Sequence, residues 1–165
     1  MAIVVQPKKL LRAKVSNLMS KTGVNTGKIF EQLFDTVLPV QGYRILTKDE
    51  YAPFLAPSIS GGKHLPDRVI ETPDLRWLIL SKKWQETTGT AEQKVPFEII
   101  KLIDAVKKSN GRFPYAYLII GGEGWTPKLK EAYLNGDLNQ FINGTELVKV
   151  INPDRFLTLI NRKNL

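Results

Sequence analysis

The chain has 165 residues, 42% of them hydrophobic and 24% charged, with no cysteine and a formal net charge of +8. These are the proportions of one globular domain long enough to bury a core, and they exclude a disulfide-framed scaffold and a thiolate metal site. No run approaches the roughly 18 apolar residues of a membrane span. Cysteine-free composition, and an N-terminus whose charges follow a short apolar run rather than precede it, lead to an expected cytoplasmic setting without a secretory signal.

The first 30 residues hold six basic side chains, Lys8, Lys9, Arg12, Lys14, Lys21 and Lys28, and no acid. Such a block favours a polyanionic partner, nucleic acid ahead of a membrane surface; a solvated basic helix face is the alternative. Residues 8–20 place Leu10, Leu11, Val15, Leu18 and Met19 at helical spacing. Asn25 or Thr26 can cap a second helix over 26–38, with Ile29, Phe30, Leu33, Phe34 and Val37 on one face and Glu31 off that stripe. Tyr43–Leu46 is a short strand candidate. Residues 47–63, rich in proline, glycine and serine, predict a loop long enough to meet a partner.

Residues 64–85, HLPDRVIETPDLRWLILSKKWQ, predict a hairpin. One strand opens on Pro66-Asp67, Thr72-Pro73-Asp74 makes the turn, and a strongly apolar strand ends in Ser81-Lys82-Lys83-Trp84-Gln85. Alternation puts Ser81, Lys83 and Gln85 on one face, where Asp67 can join them. Residues 86–95 read as a polar connection. Pro96 then opens a helix to about Ser109, with Ile99, Ile100, Leu102, Ile103 and Val106 inward. A strand at Tyr115–Ile120, a Thr126-capped helix over 127–134, a helical turn near 137–142, a strand at Leu147–Ile151 and a helix opened by Asn152-Pro153 complete the chain. The order of elements is that of an α/β layer fold with a mixed sheet.

Three motifs weigh little. Gly23–Ile29 resembles a phosphate loop but has one residue too few between its glycines and no Ser or Thr after the lysine. Gly121-Gly122-Glu123-Gly124-Trp125 could cradle a phosphate, though such a run is more often simply a tight strand-to-helix turn. His64, the single histidine, cannot build a multi-histidine zinc site and is expected to pack or to touch phosphate.

The Asp67…Ser81-x-Lys83 set is stronger. Phosphodiester hydrolysis needs a divalent cation held by hard oxygens and a nearby amine to position water. Pro66-Asp67, the strand Trp77–Leu80, the Lys83-Trp84-Gln85 ending and Gly89–Lys94 leading into a helix resemble the PD-(D/E)XK nucleases, which include many type II restriction endonucleases. The resemblance implies an αβββαβ core over 26–121, with the central mixed sheet flanked by helices. Residues 1–24 would be a basic helical segment and 122–165 C-terminal helices and a strand, all within one domain. It further implies an endodeoxyribonuclease using Mg²⁺ on double-stranded DNA, acting as a homodimer, with Asp67 a metal ligand, Lys83 the catalytic lysine and Glu31 a helix glutamate that can join the site.

One departure is Ser81, where the family carries Asp or Glu. Glu98, in the next helix, is the first candidate to replace the missing acid and Glu92 the second. A weakened site using Asp67 and Glu31, or a fold that grips DNA without cutting it, are the alternatives; a homing or junction-cleaving nuclease would keep the chemistry and change the substrate. Gln85 is expected to support phosphate or metal-bound water. Lys8, Lys9, Arg12, Lys14, Lys82 and Lys94 are expected DNA contacts, and the loops 47–63 and 136–146 would read bases.

Overall fold

The computed structural model describes residues 26–165; the expected helix at 8–20 and the contacts expected of Lys8, Lys9, Arg12 and Lys14 lie outside the described residues. Helix α1 spans Thr26–Val40 and strand β1 Arg44–Ile45, followed by the short helix α2, Lys48–Tyr51. Strands β2, Arg68–Glu71, and β3, Trp77–Trp84, form the expected hairpin. Then come α3 Ala91–Lys108, β4 Ala116–Gly121, α4 Pro127–Asn135, β5 Val148–Ile151 and α5 Pro153–Asn161.

The strands form one sheet in sequence order. β1, β2 and β3 are antiparallel neighbours, whereas β4 and β5 run parallel to β3 and to each other. This is the mixed α/β sheet expected from the sequence. Alternation along β3 divides the core in two. Trp77 and Ile79 pack with Val95, Ile99, Leu102 and Val106 of α3, while Leu78 and Leu80 pack with Phe34, Val37 and Leu38 of α1 and Phe156 of α5. Each helix therefore commits its side chains to one face of the sheet.

Three local expectations are corrected. Residues 47–63 contain α2, a 3₁₀ turn at Ala52–Phe54 and a bridge between Pro57 and Lys63; Glu50 reaches back to the Thr47 amide as a capping box, a signal present in Thr47-Lys48-Asp49-Glu50. The polar connection ends at Thr90, because the Gln85 side chain accepts from the Ala91 amide at 2.9 Å and starts α3 five residues early. Pro96 consequently lies inside the helix, where it cannot donate to the Glu92 carbonyl. The Tyr133 hydroxyl donates to that carbonyl instead, at 2.8 Å. Tyr133→Phe is expected to leave the acceptor unpaired and lower unfolding free energy by about 1–3 kcal/mol, read from urea unfolding.

Candidate active site at the end of the third strand

Pro66 is buried and brings Asp67 to the start of β2. Arg68 pairs with Leu80, so the hairpin register continued by one residue sets Asp67 opposite Ser81. The Asp67 carboxylate accepts from the Lys82 amide at 2.7 Å, which fixes it over the seam between β2 and β3. Asp67 shares strand parity with Val69, a member of the α3-side core. The acid thus begins on the sheet face that carries Ser81 and Lys83.

Glu98 rises to that face from the second turn of α3. It is buried, and Ser81 Oγ donates to Glu98 Oε1 at 2.8 Å. Lys83 Nζ lies 3.2 Å and Lys101 Nζ 2.8 Å from Glu98 Oε2, and His64 Nε2 stands 3.3 Å from Oε1. Burial pushes the Glu98 carboxyl upward, but the close approach of His64 and Lys101, the charge of Lys83 and the Ser81 hydroxyl outweigh it and hold the group well below the usual carboxylate range. A buried carboxylate demands such partners. Here they come from a strand end, a helix and the segment preceding β2.

Other expected residues go elsewhere. Glu31 pairs with Lys82, whose side chain points to the opposite sheet face; Asp35, one turn on, holds Arg68 through two bonds of 2.9 and 3.0 Å. Glu31 is thus not among the side chains gathered around Glu98, and the Lys82 ammonium is engaged within the protein rather than presented as a free DNA contact. Glu92 accepts from the Thr126 amide and hydroxyl at 2.9 and 3.1 Å, satisfying the N-terminus of α4. Gln85 is buried with its amide committed at both ends, donating to the Gly124 carbonyl at 2.7 Å while accepting from Ala91. That geometry makes it a clip between β3, α3 and the turn after β4. Lys94 is exposed on α3.

The Gly121–Gly124 turn is packed against the same clip. An added Cβ on Gly122, which has φ of +96°, would lie 2.2 Å from the Gln85 carbonyl oxygen, and one on Gly124 would lie 2.4 Å from the Thr87 backbone. The Gly124 amide already donates to Gln85 at 2.8 Å. The glycine run therefore brings two backbones together, which is the tight-turn alternative.

Sequence reasoning missed two members of the cluster, Lys101 and the contact made by His64. Lys101 lies one turn beyond Glu98 and was readable from helical periodicity. The His64 contact depends on the fold of the preceding segment and had no local signal.

Among the described residues no three His, Cys, Asp or Glu side chains converge as a metal cage. Asp67 and Glu98 are tied separately to the adjacent residues Lys82 and Ser81 of β3, and each carries the hard oxygen donors that a Mg²⁺ ion takes. That ion keeps several waters and uses one or two carboxylates beside substrate phosphates. No helix among the described residues is long and apolar enough to cross a membrane.

A model described as a PD-(D/E)XK nuclease superfamily domain matches residues 22–164. No curated protein and no solved structure matches the chain.

Proposed function

The chain belongs to the PD-(D/E)XK nuclease superfamily, and on that premise we propose that it is a Mg²⁺-dependent endodeoxyribonuclease of the restriction type. The observation that carries this reading is the meeting of Ser81, Lys83 and Glu98 at the end of β3, with Asp67 tied to the Lys82 amide of the same strand end. In place of the acid absent at position 81, a serine hydroxyl orients an acid that arrives from α3. Such an arrangement supports an intact donor set rather than a disabled one.

Asp67 and Glu98 would hold the metal, which supplies charge neutralisation of the phosphate and a more acidic bound water. Ser81 fixes the Glu98 carboxylate by its hydrogen bond. Lys83, an ammonium donor 3.2 Å from that carboxylate, orients the attacking water and steadies the charge that grows on the phosphate oxygens. Lys101 shares the same carboxylate oxygen and would add a second cation beside the phosphate. Gln85 keeps the strand end and the start of α3 in register. One subunit carries one such site, so cutting both strands would take two copies, and twofold pairing of protein and sequence is the simplest way to supply them.

Plasmid DNA incubated with the protein and Mg²⁺ is expected to be nicked or linearised, with no cutting in EDTA. Discrete genomic fragments would support the restriction role, and intact plasmid with both Mg²⁺ and Mn²⁺ would refute the nuclease. Moving the acid provides a sharper test. Ser81→Glu alone would set a second carboxylate against buried Glu98 and is expected to lower stability and cutting together. Adding Glu98→Ser returns one acid and one hydroxyl to the pair, so the double variant should cut faster than Glu98→Ser alone; equal rates would reject an exchangeable acid position.

A further inference from the structure

The outer face of α3 continues from the site. Lys94, Phe97 and Lys101 recur at spacings of three and four and so share one helix face. The later part of that face is covered. Lys108 donates to the Pro57 carbonyl at 3.0 Å, the Ile59 amide to Asp104 at 3.2 Å, and His64 reaches Glu98 at 3.3 Å. Residues 57–64 therefore run back along the helix and leave it at Glu98. Beyond that point Phe97 is 50% exposed, and Leu65, just after His64, is 49% exposed.

A half-exposed phenylalanine alone is ordinary surface. Its neighbours make this one informative. Lys101 Nζ lies 2.8 Å from the Glu98 carboxylate and 5.5 Å from the centre of the Phe97 ring. One ammonium thus contacts the acid proposed to hold metal and lies within cation–π range of a half-exposed ring. With the exposed Lys94 on the other side, the stripe alternates cation, ring and cation. A single strand is gripped by such a pattern, with phosphates on the cations and a base on the ring. A fully paired duplex keeps its base faces stacked and could use only the cations.

We propose that Phe97, between Lys94 and Lys101, is a stacking platform for an unpaired nucleobase next to the phosphate held at Asp67, Lys83 and Glu98, so that the protein engages a strand that is single or locally opened at the point of attack. This rests on the nuclease reading for the identity of that phosphate, and it narrows the substrate.

The full-length protein is titrated in EDTA, where no metal-dependent cutting can occur, with a fluorescein-labelled single-stranded oligonucleotide and with the blunt duplex of the same sequence; anisotropy gives both affinities. The single strand is expected to bind through cations and ring together, and the blunt duplex, its bases stacked, through the cations alone. Phe97→Ala should weaken it by about five- to a hundredfold, the worth of one stacked base, with duplex affinity little changed and Phe97→Trp close to wild type. Circular dichroism checks folding, and Phe97→Leu, which keeps the bulk and loses the ring, should bind single strands as poorly as Phe97→Ala. Unchanged single-strand affinity in Phe97→Leu, an equal loss on duplex, or no single-strand binding by the wild-type protein would overturn the proposal. Failure of the nuclease reading shows separately, as wild-type protein that discriminates the two probes in this way and yet cuts neither with Mg²⁺.

Discussion

Glu98→Gln is expected to eliminate metal-dependent cutting and to weaken the fold at the same time. Loss of the proposed metal ligand should exceed the roughly 10–100-fold cost of losing an outer partner. Structurally, the substitution leaves Lys83 and Lys101 without the buried charge that both approach within 3.2 Å. Removing one member of a buried ion pair costs about 3–5 kcal/mol. Those lysine side chains are 24% and 21% exposed and can reach water, so the lower end, about 3 kcal/mol, is expected from urea unfolding at neutral pH.

The same variant should alter the response to acid. Because the Glu98 carboxyl is held below its ordinary range in the folded protein, the unfolded chain takes up its proton first as pH falls. The stabilisation is present in full above the ordinary glutamate value of about 4.3 and is lost as pH falls from there toward the folded value. Between pH 7 and pH 3, wild-type protein should therefore lose more stability than Glu98→Gln. Glu50 and Asp74 are also held down, to about 2, by hydrogen bonds from Arg44 and Arg76 respectively. Both remain in the two proteins, and their part of the slope cancels in the comparison. Parallel pH profiles would mean that the His64, Lys83 and Lys101 contacts to Glu98 contribute nothing in solution.

Lys83→Ala is expected to separate chemistry from folding. The rate of cutting should fall by about 10²–10⁴-fold, the usual worth of a positioned proton-transfer or water-orienting group. Stability should fall less than in Glu98→Gln, since Lys101, His64 and Ser81 still surround the carboxylate. Lys82→Ala is the matched control. Its ammonium pairs with Glu31 on the far face of the sheet, so cutting should stay near the wild-type rate while stability drops slightly. Plasmid nicking rates beside urea midpoints for the two variants decide the matter. A larger catalytic loss at Lys82 than at Lys83 would place the reacting phosphate on the wrong face of the sheet.

Much of this arrangement was legible without coordinates because it depends on short-range periodicity. Two-residue alternation fixes that Ser81 and Lys83 face together, and the turn residues Thr72-Pro73-Asp74 fix where the hairpin closes and hence that Asp67 returns beside them. Apolar spacing locates the helix bearing Glu98 and its inward Ile99, Leu102, Ile103 and Val106, whereas Ile100, also expected inward, is only partly buried. Where α3 begins was misread because its first turn is stabilised from a distance, by the Gln85 amide at Ala91 and the Tyr133 hydroxyl at Glu92.

The chain by itself determined the order of strands and helices and the hairpin that joins an acid to a lysine, since each follows from residues close in sequence; that Ser81 stands where an acid is expected follows from the family resemblance alone. Which glutamate reaches Ser81 was decided only by tertiary packing. Glu31, Glu92 and Glu98 all lie on helices near the hairpin in sequence, but α1 packs against the Leu78–Leu80 face and α3 against the Ile79 face. Glu31 is consequently spent on Lys82 and Glu92 on the start of α4, whereas Glu98 meets Ser81. A helix displays its own apolar stripe in its sequence, but the sheet face that receives the stripe depends on how the whole core closes.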